Sequence, residues 1–215
     1  MTNADLERLY YLTQLGLSSS GLSIQDLQAL FYAQQTFGIA SNRRFATGLY
    51  YGPDSNGGNS TKVPTLNELD LFPFIVGERQ AFDQIACACT ILQATSVYRL
   101  GIYNSDSGGK PSTLLVDAGT VDCSTTGSKT LPITQTLNPG LYWLAGCAQV
   151  AAGTMELRGY AAGWTPYVAL DDPSRVTSGS GYILAGITGA LPGTFTFNAN
   201  NLYSGSSPRL LLRAV

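Results

Sequence analysis

The chain has 215 residues, a formal net charge of −2 and no histidine, and only 12% of its residues are charged, about half the usual share. That length allows one substantial domain with a small appendage, and the near-neutral balance offers no electrostatic footprint for nucleic acid or an anionic membrane. Without imidazole, Ser-His-Asp, Cys-His and histidine-bearing zinc sites are excluded. No segment approaches the roughly 20 apolar residues of a membrane span. The polar start MTNADLERLYY has no basic region leading into an apolar stretch, so neither membrane insertion nor a standard export signal is expected.

Residues 1–40 differ in kind from the remainder and are expected to be helical. After Thr2 and Asn3 as caps, Leu6, Leu9, Tyr10 and Thr13 follow helical spacing, and Gly16 is placed to end the helix. A second helix opens at Ser23 as N-cap with Asp26 three residues on, and Leu22 and Leu27 occupy the positions of a hydrophobic staple. Ile24, Leu27, Leu30 and Phe31 form its apolar face. Two helices of about 12 to 14 residues are marginal in water unless that face is covered. They can fold back onto their own chain, pack against the same helices of sister subunits, or anchor in a larger assembly.

From residue 41 to 215 the sequence reads as short strands punctuated by turns, predicting a mainly β domain, an antiparallel jelly-roll-like β-sandwich. Strands are expected at 44–51, 66–76, 82–92, 97–103, 113–121, 129–134, 137–147, 181–188, 193–199 and 208–215. GPDSNGGNSTKVP reads as a loop too polar and glycine-rich to be core. Pro73 suits an edge or a bulge, and Ile85, Cys87, Cys89 and Ile91 share one face of the clearest strand. The four cysteines, Cys87, Cys89, Cys123 and Cys147, form no CxxC pair and read as buried free thiols. PRLLLRAV is expected to pair inside a sheet, because exposed leucines at a terminus invite aggregation. In LNPGLYWLAGC, alternation sends Trp143 and Tyr142 to opposite faces. Trp143, in register with Leu141 and Cys147, is expected in the core and Tyr142 partly exposed or at a subunit contact.

Residues 97–149 carry RLGIY, a polar loop with Gly-Lys-Pro, LLVDAGTVD, and then Leu-Asn-Pro-Gly-Leu-Tyr-Trp-Leu-Ala. This run resembles a segment of minor tail proteins and receptor-binding appendages of tailed bacteriophages, especially those infecting actinobacteria. The resemblance is close over about a quarter of the chain and looser over residues 45–92. It implies a virion protein assembled in the host cytoplasm, with a carbohydrate-binding β-sandwich on a tail fibre or tip. It further implies a trimer anchored by a helical region among other tail proteins. It supplies no catalytic residue and no cofactor, and enzyme activity is not expected. The physical pattern agrees in part. NSDSGGKP makes a hairpin loop before a strand opened by Pro111, and Asp117-Ala118-Gly119 a bend or bulge.

Candidate ligand-binding residues follow from aromatic-polar clustering. The stretch 158–182 combines Tyr160, Trp164, Tyr167 and Tyr182 with Arg158, Asp171, Asp172 and Arg175. Sugars stack on aromatic rings while polar neighbours take their hydroxyls. The same aromatics can instead plug one end of the sandwich. Tyr103, Asn104 and Asp106 form a second patch near a loop tip. Aspartates 106, 117 and 122 lack calcium-loop spacing, and nothing in the sequence sets two carboxylates across a glycosidase cleft, so no metal is expected.

Overall fold

The computed structural model describes residues 44–53, 58–162, 168, 179–198 and 201–215, all within a compact unit spanning Ser41–Val215. The expected helices, with Leu6, Leu9, Tyr10, Leu27, Leu30 and Phe31, lie outside the described residues. The strands are β1 (Tyr50–Tyr51), β2 (Asn59–Lys62), β3 (Glu68–Val76), β4 (Gln80–Ile91), β5 (Val97–Ser105), β6 (Pro111–Asp122) and β7 (Gly127–Leu137). They continue as β8 (Gly140–Gln149), β9 (Glu156–Tyr160), β10 (Gly181–Ala185), β11 (Leu202–Tyr203), β12 (Ser207–Pro208) and β13 (Leu211–Ala214).

Two antiparallel sheets result, consistent with a β-sandwich. One runs β11-β10-β3-β8-β5-β6. The other follows β1-β13-β4-β9-β12, with β7 also on β4 and β2 also on β9. This second sheet curls, because β4 pairs with β13 over Phe82–Ala86 and then with β9 at Cys89 and Ile91. The register shift between Cys89 and Ile91 explains a departure from simple alternation. Ile85, Cys87 and Cys89 are buried together, whereas Ile91 turns out to solvent.

The inter-sheet core takes Phe74 and Val76 from β3, Phe82 and Ile85 from β4, Tyr98, Leu100 and Ile102 from β5, and Leu144 and Ala148 from β8. The opposite face of the six-stranded sheet is buried as well. Leu69, Leu71, Tyr103, Trp143, Ala145, Cys147 and Tyr182 of β10 pack there with Val168, Leu191 and Phe195 from outside the strands. Because β3 and β8 are covered on both faces, each reads as a nearly continuous apolar run. β10 reaches only Glu68–Leu71 of β3, so past Leu71 that side of the strand is an edge and tolerates Pro73, which has no N–H to give.

Several sequence expectations change. Residues 44–51 yield only the two-residue β1, since the chain turns at Thr47–Gly48 and Gly48 takes φ 82°. Phe45 nonetheless enters the inter-sheet core, edge-on to Phe82 at 5.4 Å. The polar stretch read as a loop contains β2, which pairs with β9 and carries the buried Lys62. Residues 193–199 do not form a strand where described. The chain there crosses the outer face, touching β6 through a bridge between Thr113 and Thr194 and inserting Phe195. Sequence reading also passed over β9 and β11. The C-terminal β13 lies between β1 and β4 with Leu212 and Ala214 buried, as its leucines required. Ala118 is the extra residue of a β-bulge, with Gly119 at φ 93°.

Candidate functional site

Between the sheets near one end sits a polar cluster that apolar periodicity would not place there. Alternation along β3 points Glu68, Asp70, Phe72 and Phe74 toward the second sheet. Asp70 is fully buried, and Lys62 of β2 is only 6% exposed. The Lys62 ammonium lies 3.6 Å from Asp70 Oδ1, an ion pair longer than a hydrogen bond. It donates instead to the Tyr203 hydroxyl at 2.6 Å and lies 4.2 Å from the centre of that ring. Tyr203 in turn donates to the Ser206 carbonyl at 3.0 Å and stands edge-on to Phe72.

Neither carboxylate oxygen of Asp70 has a hydrogen-bond partner among the described residues, and the buried Tyr98 hydroxyl has none either. The electrostatics follow from this placement. Burial pushes the Asp70 carboxyl up to about 7, against the pull of Lys62 and with a further push from Glu68. Burial works against the charge of Lys62, but Asp70, Tyr203 and Glu68 outweigh it and the ammonium is held above its ordinary value. Burial, and then the Asp70 charge, raise the Tyr98 phenol. Sequence reading missed this site because Lys62 stood in a stretch taken as loop. The available signal was Asp70, one acid inside the apolar run LDLFPFIV, with a lysine eight residues earlier.

Of the sequence-predicted ligand residues, Trp164, Tyr167, Asp171 and Arg175 lie outside the described residues. Tyr160 closes β9 half-exposed, with the Arg209 guanidinium 5.1 Å from its ring centre. Arg209 donates to Asn59 Oδ1, and Arg158 is exposed on the same strand. Tyr103 departs from its expected place near a loop tip. It is fully buried in the outer-face core, and its hydroxyl donates to the Pro192 carbonyl at 2.7 Å. Tyr182 is likewise buried, 5.0 Å from Trp143 between ring centres. Asp106 is exposed at the β5–β6 turn, where its Oδ1 accepts the N–H groups of Gly108 and Lys110 and shapes the hairpin. The structure therefore does not bring Tyr103, Asp106 and Tyr160 together at one surface.

Trp143 is buried as expected and its indole donates to Ser105 Oγ at 2.9 Å, while Tyr142 is half-buried. The two faces of β8 differ from the simple division into core and surface, because Tyr142 packs toward the inter-sheet core and Trp143 toward the outer-face core. Asp117 binds Arg99 in a two-pronged pair at 2.8 and 2.9 Å and accepts the Leu191 N–H. Burial opposes its charge, yet Arg99 and the Leu191 and Gly119 N–H groups outweigh burial and hold its carboxyl below the ordinary range.

All four cysteines are free and buried, and burial pushes the Cys123 and Cys147 thiols up to about 12. They therefore lack the thiolate character that nucleophilic chemistry requires. Among the described residues no three acids or cysteines converge on a cation position. No protein-family model matches the chain, and no curated protein matches its sequence.

Proposed function

We propose that the chain is a structural virion protein of a phage tail, a minor tail, tail-tip or fibre appendage, whose jelly-roll-like sandwich faces outward to hold host-surface glycan. The sequence resemblance over residues 97–149 supports the setting, and the two antiparallel sheets suit it. One observation carries the binding role. β9 delivers Tyr160, half-exposed and flanked by Arg209, Asn59 and Arg158, near the start of the aromatic-polar stretch 158–182. An aromatic platform with polar neighbours on a rigid sheet is what stacking of a sugar ring requires. In this reading residues 1–40 trimerise the protein or anchor it to other tail proteins, and host cell-wall polysaccharide is the ligand. The role needs no catalysis and no cofactor.

The test is binding of the full chain to host cell-wall polysaccharide. Tyr160→Ala, Trp164→Ala and Tyr167→Ala should each weaken binding about tenfold, the loss of one stacking contact, without unfolding. Undiminished binding by all three would remove the site. A second, purely architectural reading is favoured by where the described aromatics go, since Trp143, Tyr103 and Tyr182 are all spent inside the chain. A chain that assembles into particles but retains no polysaccharide would select it.

A further inference from the structure

We propose that Lys62 and Asp70 condense within the folded chain to an isopeptide bond, a covalent tie between the two sheets, with Glu68 carrying the proton. β2 belongs to the curled sheet and β3 to the six-stranded one, so the Lys62–Asp70 contact crosses the sandwich. A lone buried ion pair is usually stabilised by further hydrogen bonds to its carboxylate. Among the described residues both carboxylate oxygens lack them, which leaves the acid open to the amine 3.6 Å away. Asp70 is fully buried and Lys62 nearly so, with the Tyr203 ring against the ammonium and Phe72 edge-on to that ring, so a water released there does not readily return. Glu68 is the next residue on the same face of β3, half-buried, and its charge acts on both Lys62 and Asp70.

The chemistry balances without oxidant or cofactor. Glu68 takes a proton from the Lys62 ammonium, and the free amine attacks Cγ of Asp70 in its protonated form. The Nζ–Cγ bond forms, and a Cγ–O bond breaks. Glu68 returns its proton to the departing hydroxyl, which leaves as water, and the nitrogen gives up its second proton through Glu68 to solvent, replacing the one Asp70 had taken up to become the neutral acid. Net, one ammonium and one carboxylate become one secondary amide and one water. Burial supplies the protonated acid near neutrality, because it raises the Asp70 carboxyl to about 7. Holding the two groups in fixed contact supplies the rest, since effective molarities of oriented intramolecular reactions reach about 10⁵ M and above.

Intact mass of the full chain, measured denatured, tests this directly. The expected chain is one water lighter than its sequence requires, trypsin fails to cut after Lys62, and Lys62 resists an amine-reactive label after unfolding. An aspartate that closes to a cyclic imide also sheds water, but it leaves Lys62 cleavable and labelled, and that pattern would overturn the proposal. A full-mass chain after prolonged incubation at neutral pH would overturn it equally and leave the pair ionic. Lys62→Arg and Asp70→Ala should abolish the mass loss. Because these variants disturb a buried pair, Glu68→Gln, altered at a half-buried position, provides the milder control. It should leave most chains at full mass, and retention of the full water loss would overturn the role of Glu68.

Discussion

The two faces of the six-stranded sheet are buried by different means. Toward the other sheet, Phe74, Tyr98, Leu100 and Leu144 share a core with Phe82, Ile85 and Leu212 of the curled sheet, so most of that face is covered by regular strands. On the outer face, Leu69, Trp143 and Tyr103 are covered by irregular chain carrying Leu191 and Phe195. An irregular segment must find partners for its backbone outside any ladder. Side chains of the sheet provide several: Gln149 donates to the carbonyls of Ile187 and Gly189, Asp117 accepts from Leu191, and Tyr103 donates to Pro192. The lesson is that polar residues on an outward sheet face can serve to hold a covering segment, and aromatics there need no external partner.

The comparison breaks most visibly at its largest side chains. Trp143→Ala and Phe82→Ala, one from each core, should each cost about 3–5 kcal/mol in urea unfolding. Similar losses in a single transition would make the outer-face core as integral as the inter-sheet core. A much smaller loss for Trp143→Ala would demote it to a satellite cluster.

The next effect separates the polar end of the inter-sheet core from everything else. In Glu68→Gln, where the amide is not expected to form, Asp70 still titrates among Lys62, Tyr98 and Tyr203. Burial, the largest cause, keeps its folded value above the unfolded 3.8 even without the Glu68 push that contributes to the value of about 7 in the unaltered pair, so the folded state binds the proton more tightly. That contribution is full below about pH 4 and is lost as pH rises through about 7. The variant should therefore lose stability as pH rises between about 4 and 7 in urea titrations. The wild-type chain, with Asp70 consumed in the amide, should lack this dependence over the same range. An equal slope in both would count against the bond.

Smaller effects probe the contact of the covering segment with the sheet and the turn after β8. A Cβ at Gly101 would lie 2.4 Å from Leu191 Cδ1 and 2.6 Å from the Val116 carbonyl. Gly101→Ala should cost about 1–3 kcal/mol. It should also speed hydrogen exchange at the Phe195 N–H, which bonds the Ser112 carbonyl, while leaving β3 and β4 protected. Faster exchange throughout would mean the two cores open as one unit. The smallest effect is a gain. Val150 is β-branched, 71% exposed and held at φ 69°, in a turn where the Ala151 N–H bonds the Gln149 carbonyl. Val150→Gly should raise stability by about 0.5–1 kcal/mol by relieving that strain, read as a shift of the urea midpoint.

The amino-acid sequence by itself determined the β class, most of the long strands and the burial of the cysteines. Period-two alternation and turn residues are local signals, and β4, β5 and the turn before Pro111 carry them plainly. It also determined that Trp143 is buried, because its register neighbours are apolar. Tertiary structure decided which core receives Trp143, why Tyr103 lies inside rather than at a loop tip, and that residues 193–199 cover a sheet instead of extending it. It decided as well that Lys62 meets Asp70. Those outcomes depend on which strands become neighbours and what lies over their outer faces, and long-range pairing leaves no periodic trace in the segments it joins.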